Sequence, residues 1–423
     1  MRLYRVFTPS VCALLIFFSS FAHAETSRPL TLSQALQRAV AANPRLAVAE
    51  REIGVATGRR IQAGAFPNPE AAVEVENVGG SGPYRGTQAA QTTLSLGQLI
   101  EFPGKRDARI ASASADIDVM QWQRQAERLD VLSETAIAFV NVLGAQRRIQ
   151  IYDGLIGSLD GIGPLLQRRV EAGASSQAEV ARAQVAADLI RADRERAKTM
   201  LSSSRRELAA LMGIAIPDFG AVTGDFATVA RIPAFQSLLR GLDEHPQLAR
   251  WTAVRALRKS DVLSARLKPL PDVRVAVGYR HFNDTRDNAI VFGVAAQLPL
   301  WDQNQGNILS AQDTLAKTEA ERAVNKSALV VLLGRAFDAV NGAQRELAVL
   351  QSSAIPKANE AVRALEGGYA QGRYTLIELL DVQSAYAQAV LREQEALIAY
   401  HTAVATIEWL TGAPMTPRRT KMR

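Results

Sequence analysis

The feature that most constrains this chain is that it is written twice. "NPRLAVAE" at 43 matches "HPQLARWT" at 245, and "FPNPEAAVEVENVGG" at 66 matches "KPLPDVRVAVGYRHF" at 268, both 202 residues apart. "QLIEF" at 98 matches "QLPLW" at 297, Gly173 matches Gly372, Glu179 matches Glu378, Gln184 matches Gln383, and "LMG" at 211 matches "LTG" at 410, all 199 apart. The change from 202 to 199 is a three-residue deletion between the second and third elements. A period of this length is a duplicated unit rather than a solenoid repeat. The expected organisation is a leader over 1–24, a first repeat over 25–213, a linker over 214–234, a second repeat over 235–413 and a basic disordered tail over 414–423.

Each unit has the same order. A helical pattern comes first, over 31–64 in the first copy, opened by Thr31 and Ser33 and bent near Pro44. The period then falls to two. Val73 and Val75 alternate with Glu74 and Glu76, and Leu94 and Leu96 with Thr93 and Ser95. In the second copy Val273, Val275, Val277 and Tyr279 alternate with Arg274 and Gly278, and Ile290, Phe292 and Val294 follow in the same manner. This predicts four strands, at about 69–78, 88–100, 271–281 and 288–300, paired as two hairpins across loops rich in Gly and Asn. Long helices follow over 105–170 and 305–370. They are expected to be interrupted at Gly154, Gly157, Gly161, Gly163 and Pro164 and at Pro356. A short glycine-bearing tip leads from each into a returning helix, over 177–212 and 376–411.

The start of the chain combines Arg2 and Arg5, a short apolar run and Ala22, His23 and Ala24, which reads as a secretory leader. Its removal leaves a mature chain without Cys12, hence with no disulfide and no thiolate metal site, and lowers the formal charge from +7 to about +5. No later window is apolar enough for a transmembrane helix. Arginines alternate with acids along helices, as in "RADRERAK", the pattern of a solvated face, and no aromatic or basic platform for nucleic acid accompanies them. His245, His281 and His401 have no metal-ligand spacing and read as surface or helix-terminal residues. No phosphate loop, nucleophile triad or acid pair in a cleft appears, so neither an enzyme nor a cofactor is expected.

Four strands cannot close on themselves, and two hairpins alone are marginal. Strands of about ten residues with one apolar face match a transmembrane β-barrel, whose smallest forms have about eight strands. Three copies supply twelve strands, an even number that closes, so strand count points to a trimer. The pattern alone leaves a soluble periplasmic bundle with two hairpin inserts open, because any half-buried sheet also alternates.

The plan of helix, hairpin, long helix, tip and helix resembles the TolC-type outer-membrane factors of tripartite efflux pumps over nearly the whole mature chain. "ALEGGYAQGRYTLIELLDVQSAYAQA" at 364–389 resembles the second-repeat tip of that family, and "RRVEAGASSQAEVARAQ" its first-repeat tip. "QLIEFPGKRDARIASASA" and "FPNPEAAVEVENVGGSGP" are similar to the CzcC-like subgroup, which exports heavy-metal cations. The resemblance implies a mainly α fold with a small transmembrane β part. It implies a homotrimer whose 12-stranded barrel, four strands per chain, is continued by a long α-helical barrel. The chain would cross outer-membrane lipid, extend into the periplasm, and meet an adaptor (membrane fusion) protein and an inner-membrane proton-driven pump. Cobalt, zinc, cadmium, nickel or copper would be the cargo, with drugs, organic compounds or secreted polypeptides as the alternative. A poreless periplasmic coiled-coil protein is the rival of a different class.

The resemblance also assigns roles at the tips. Gly173, Ser175 and Ser176, with Gly372, Arg373, Tyr374 and Thr375, would dock the adaptor, while glycine reverses the chain and Ser176 or Thr375 caps the returning helix. Glu378 and Asp381 share one helix face, and three copies would place six carboxylates around the periplasmic entrance, a ring that favours cations. Crowding there should raise some of their pKa values. Tyr369 and Glu179 match positions that hold the family's gate closed. That gate has an arginine two residues after the tip glycine. Here Tyr374 stands there with Arg373 before it, so its salt links are either absent or taken over by Arg373.

Overall fold

The computed structural model describes residues 29–412; the expected leader, Cys12 and the basic tail lie outside them. The first half runs β1 (Leu30–Thr31), α1 (Leu32–Ala42), α2 (Pro44–Ala63), β2 (Glu70–Glu76), β3 (Gln91–Ile100), α3 (Lys105–Glu171), α4 (Gln177–Leu211) and β4 (Val222–Thr223). The second runs α5 (Phe235–Leu242), α6 (Pro246–Leu267), β5 (Val273–Phe282), β6 (Asn288–Ala296), α7 (Gln305–Val349), α8 (Ile355–Ala370) and α9 (Leu376–Thr411).

Two helical expectations are corrected. The run over 31–64 is two helices, because Asn43 precedes Pro44 and is held extended, where its side chain caps α2 by accepting from the Arg45 N–H. His245 before Pro246 makes the same break in the second copy, its Nδ1 accepting from the Gln247 N–H. The expected interruption is absent from the first long helix and present in the second. α3 continues for 67 residues, about 100 Å at 1.5 Å per residue, straight through Pro164. Gly154, Gly157, Gly161 and Gly163 lie on its outer side with open space beyond them. In the second copy a π turn over Leu350–Ala354, in which the Ile355 N–H reaches the Leu350 carbonyl, carries the helix past Pro356.

The four longer strands form one antiparallel sheet in the order β2-β3-β5-β6. Register fixes its two faces. Val73, Leu94, Tyr279 and Ile290 stand in one cross-strand row, and Ala71, Leu96, Val277 and Phe292 in the next. This face is exposed in the single chain, Phe292 at 82%. The opposite face carries charge: Arg280 bridges Glu76 at 2.8 Å and donates from Nε to Thr93 Oγ1 at 2.8 Å, and Arg274 pairs with Glu70. The outer edges, β2 and β6, have no ladder partner among the described residues.

Among the described residues the helices bury three clusters. One lies where α5, α7 and α9 meet, around Leu242, Leu333, Val340 and Ile407. A second joins α1, α3 and α4 through Ala35, Phe139, Val142 and Leu208. There β1 and β4 form a short parallel pair, and the Gln146 amide bonds both the N–H and the carbonyl of Val222. The third cluster sits just behind the tips: Leu159, Ile162, Leu166, Tyr369, Leu376 and Leu379.

The two sheet faces predict opposite tolerances. Phe292→Arg puts a charge in the middle of the apolar face and is expected to cost about 2–4 kcal/mol of membrane insertion. Glu74→Arg, on the charged face, is expected to insert normally. The amount of each variant recovered in the outer-membrane fraction checks this; equal recovery would mean that the apolar face does not meet lipid.

Candidate functional site: the paired helical tips

The two tips are built alike. α3 and α8 each end in a glycine with left-handed backbone, Gly173 at φ 69° and Gly372 at φ 76°, a region costly for any residue with a Cβ. In the first tip the Ala174 N–H reaches the Arg169 carbonyl at 2.8 Å and the Gly173 N–H that of Val170 at 2.9 Å. In the second, Arg373 N–H reaches Gly368 O at 2.9 Å and Gly372 N–H reaches Tyr369 O at 3.0 Å. These paired bonds satisfy the carbonyls that a helix end leaves free.

The returning helices start alike, with one difference. Ser176 Oγ accepts from the Glu179 N–H at 3.4 Å, and Thr375 Oγ1 from the Glu378 N–H at 3.3 Å. Glu378 also reaches back: its Oε2 accepts from the Thr375 N–H at 2.7 Å and from the Thr375 hydroxyl at 2.9 Å, completing a capping box. The Thr375 N–H bond, then the hydroxyl, hold the Glu378 carboxyl below its usual range. The crowding expected in a ring of three chains concerns neighbours outside this single chain. Within one chain the cap governs this acid. Asp381 is exposed one turn along the same face; Glu179 is half-buried, and the exposed Arg182 occupies the place of Asp381 in the first copy.

Tyr369 lies in the cluster behind the tips at 1% exposure, packed with Leu166 and Leu376. Its covering side chain is Arg169, which the sequence reading passed over. The Arg169 guanidinium lies 4.8 Å from the centre of the Tyr369 ring. It donates from Nη1 to the Tyr369 carbonyl at 2.8 Å, from Nε to Ser175 Oγ at 3.1 Å and from Nη2 to the Ala174 carbonyl at 3.4 Å. The first tip is thereby fastened to the end of α8. The sequence holds a signal for this: 199 residues on from Arg169 stands Gly368, so the copies differ sharply in bulk there. The Tyr374 ring fills the place of the missing side chain, since a Cβ on Gly368 would lie 2.3 Å from Tyr374 Cδ2. Arg373 donates to Gln371 within its own loop, and no bond joins it to Glu179 among the described residues.

Behind the tips, beside that cluster, a cavity of about 710 Å³ is lined from α3, α4, α8 and α9 by Leu155, Ser158, Asp193, Glu366 and Gln383 among others. Gln383 Nε2 lies 3.4 Å from Glu366 Oε1 and 3.5 Å from Ser158 Oγ. Among the described residues no three His, Cys, Asp or Glu side chains gather as a metal site. His245 is buried at the start of α6, His281 meets Asn288 on the sheet, and His401 is half-buried on α9, where it bonds the Phe226 carbonyl. The last is neither surface nor helix-terminal.

A carboxyl whose pKa is depressed on folding contributes above its unfolded value and loses that contribution as pH falls through the folded one. The start of α9 should therefore hold firmly at neutral pH and fray as Glu378 is protonated in acid. Glu378→Gln keeps a cap acceptor, so it should give an α9 start whose amide exchange, corrected for intrinsic rates, no longer varies with pH in that window. An unchanged pH response would show that Glu378 is not the titrating cap.

A family model described as outer membrane efflux protein matches the chain twice, over residues 35–214 and 240–413. The cobalt-zinc-cadmium resistance protein CzcC of Cupriavidus metallidurans is 30% identical over 388 residues, 92% of this chain and 91% of that protein. The nickel-cobalt-cadmium resistance protein NccC of Alcaligenes xylosoxydans xylosoxydans is 25% identical over 310 residues, 73% of this chain and 69% of that one. Among solved structures, CusC superposes with a TM-score of 0.75 at 14% identity, over 91% of this chain and 93% of its own; at that identity the likeness speaks for the fold. The duplicated helices, the four-stranded sheet and the twin tips are thus those of one family, and the chain belongs to the outer membrane efflux proteins.

Proposed function

We propose that this chain is the outer-membrane channel of a tripartite heavy-metal efflux system, working as a homotrimer with a periplasmic adaptor and a proton-driven inner-membrane pump. The observation that carries the reading is the sheet. Four antiparallel strands with an exposed apolar face, a charge-paired opposite face and two edges unpaired among the described residues are a segment of a barrel wall. Lipid on one side, water on the other and further copies at each edge satisfy all its backbone groups. The helices, with α3 alone about 100 Å long, then carry the conduit toward the pump.

Metal cations as cargo are supported by the near full-length match to a cobalt-zinc-cadmium resistance protein. Glu378 and Asp381, both exposed on one face of α9, would ring the entrance in three copies and favour cations over anions. Tyr369 and Glu179 lie beside this entrance as gate elements, and Gly173, Ser175, Ser176, Gly372, Arg373, Tyr374 and Thr375 form the tips that meet the adaptor. The cation preference belongs to pore charge; the choice among metals belongs to the pump and adaptor.

Purified protein in planar bilayers should form cation-preferring pores, and cells lacking the chain should lose tolerance to cobalt, zinc, cadmium or nickel. Replacing Glu378 and Asp381 together by alanine should weaken block by multivalent cations added on the periplasmic side. Unaltered metal tolerance with lost tolerance to organic compounds would replace the cargo. A monomer that stays soluble without detergent and conducts nothing would remove the channel itself.

A further inference from the structure

We propose that the groove where β3 passes into α3 holds the headgroup of an anionic phospholipid from the inner leaflet of the outer membrane, with the Arg106 guanidinium as its phosphate ligand; the depth of the groove in the membrane rests on the barrel reading above. A cleft of about 490 Å³ lies there, lined by Phe66, Pro67, Ile100, Phe102 and Arg106 among others. Ile100 ends the apolar face on the side of the helices: it pairs with Val273, and Val273 with Ala296, in the last row of the ladder. From Leu96, in the middle row of that face, to Ile100 the strand runs about 13 Å, or roughly 10 Å of depth at a tilt of about 40°. An outer-membrane barrel carries an apolar band about 25 Å tall, so residues just past Ile100 stand where hydrocarbon gives way to headgroups. Aromatic side chains collect at that boundary. Phe66 is 71% exposed there, and Trp301, which occupies the place of Phe102 in the second copy, is 87% exposed.

Arg106 is held in place with most of its donors unused. Its Nε donates to the Gly64 carbonyl at 2.7 Å, and its Cζ lies 4.2 Å from the centre of the Phe66 ring. Both Nη groups are left without an acceptor among the described residues. The nearby carboxylates are engaged by other cations. Glu101 pairs with both Nη groups of Arg109, and Asp272 takes Lys105 at 2.9 Å and the Phe102 N–H at 2.7 Å. Asp107 remains, exposed in the first turn of α3. In the second copy Arg266 and Lys268 are exposed at the end of α6, and Lys268 stands in the place of Phe66. The Nη edge of a guanidinium takes two phosphate oxygens at once. Phe66, Ile100 and Phe102 then receive the start of the acyl chains. A free phosphate would use the fork and leave those apolar walls uncovered. A zwitterionic lipid would bring its own cation toward Arg106. The leaflet follows from the end of the sheet concerned, since the groove lies where the strands give way to the periplasmic helices.

The test titrates the full-length protein in detergent with dioleoyl phosphatidylglycerol or dioleoyl phosphatidylcholine and counts retained lipids by native mass spectrometry. Wild type should hold about one phosphatidylglycerol per chain, about tenfold or more tightly than phosphatidylcholine, the factor that one charge-assisted hydrogen bond supplies. R106Q should bring phosphatidylglycerol down to the phosphatidylcholine level, and R106K should fall between because an ammonium lacks the fork. F66A should weaken both lipids. Equal binding of the two lipids by wild type would overturn the proposal, and that comparison needs no variant to assemble. Selectivity kept in R106Q but lost when Arg266 and Lys268 are both replaced by glutamine would overturn the groove as its seat. Displacement of the lipid by an equal concentration of inorganic phosphate would replace it with a free anion. Cation-preferring pores from protein that binds the two lipids equally would remove the lipid site and leave the channel standing. Protein that needs no detergent and binds neither lipid would count against the barrel itself.

Discussion

The ladder between β3 and β5 is the interaction on which the rest of the chain depends. Gln91–Ile100 runs antiparallel to Val273–Phe282 along its whole length. It is the seam between the two copies at the sheet end of the molecule. Neither hairpin alone would be stable, and joining them makes a four-stranded sheet without making a closed one. Because side chains alternate with a period of two, this register decides at one stroke that Leu94, Leu96, Val277 and Tyr279 share a face, and that Thr93 and Arg280 share the other. A slip of one residue would put Arg280 on the apolar face and Tyr279 among the charges. The register also makes the charge pairs possible, since Glu70 and Arg274 come from different copies, as do Glu76 and Arg280.

From that seam the long helices leave on parallel plans, and the copies meet again through packing and side-chain hydrogen bonds. α3 crosses α9 in the middle of the chain, where the Gln394 amide donates to the Gly144 carbonyl at 2.9 Å and the Arg148 Nε donates to Gln394 Oε1 at 3.0 Å. Farther along, Tyr369 and Leu376 from the second copy complete a cluster begun by Leu159 and Leu166 of the first. A duplicated chain can thus hold a long, thin shape without one large core. Three smaller clusters are spaced along it, and the helix runs between them rely on pairwise packing.

Much of this was legible in the sequence because it is periodic. The strands, the long helices and the tips fell within a few residues of their places, since alternation and helical patterning persist over many residues. What escaped was local or distant. β1 and β4 are two residues each, too short to carry a period, and exist because they pair with one another. The break at Asn43 is a competition between helix continuation and a cap, decided by the proline after it. Glycines in α3 look like breaks on paper, yet a helix held by neighbours over 67 residues absorbs their small individual penalties, roughly 1 kcal/mol each. Arg169 was hidden for another reason. Nothing in a basic residue near a helix end says which carbonyl across the fold it will meet.

The tips show how a duplication becomes asymmetric without losing its shape. Both keep the left-handed glycine, the paired turn bonds and the hydroxyl cap, because those are backbone requirements of a helix reversal. Divergence is confined to side chains that the turn does not use. Arg169 with Ser175 in one copy becomes Gly368 with Tyr374 in the other, so a long side chain reaching a small one is replaced by a notch filled from the opposite side. Arg182 becomes Asp381, and the half-buried Glu179 becomes the exposed, capped Glu378. The exchanges of Arg169 for Gly368 and of Arg182 for Asp381 leave more positive charge in the first copy, while that of Ala174 for Arg373 puts one cation in the second. If the turns must stay alike so that six tips in three chains can form one ring, such exchanges are the remaining means by which adjacent tips can attract one another. A single unduplicated unit, repeated six times, would have to carry both signs on the two sides of one tip, whereas two tips per chain can divide them.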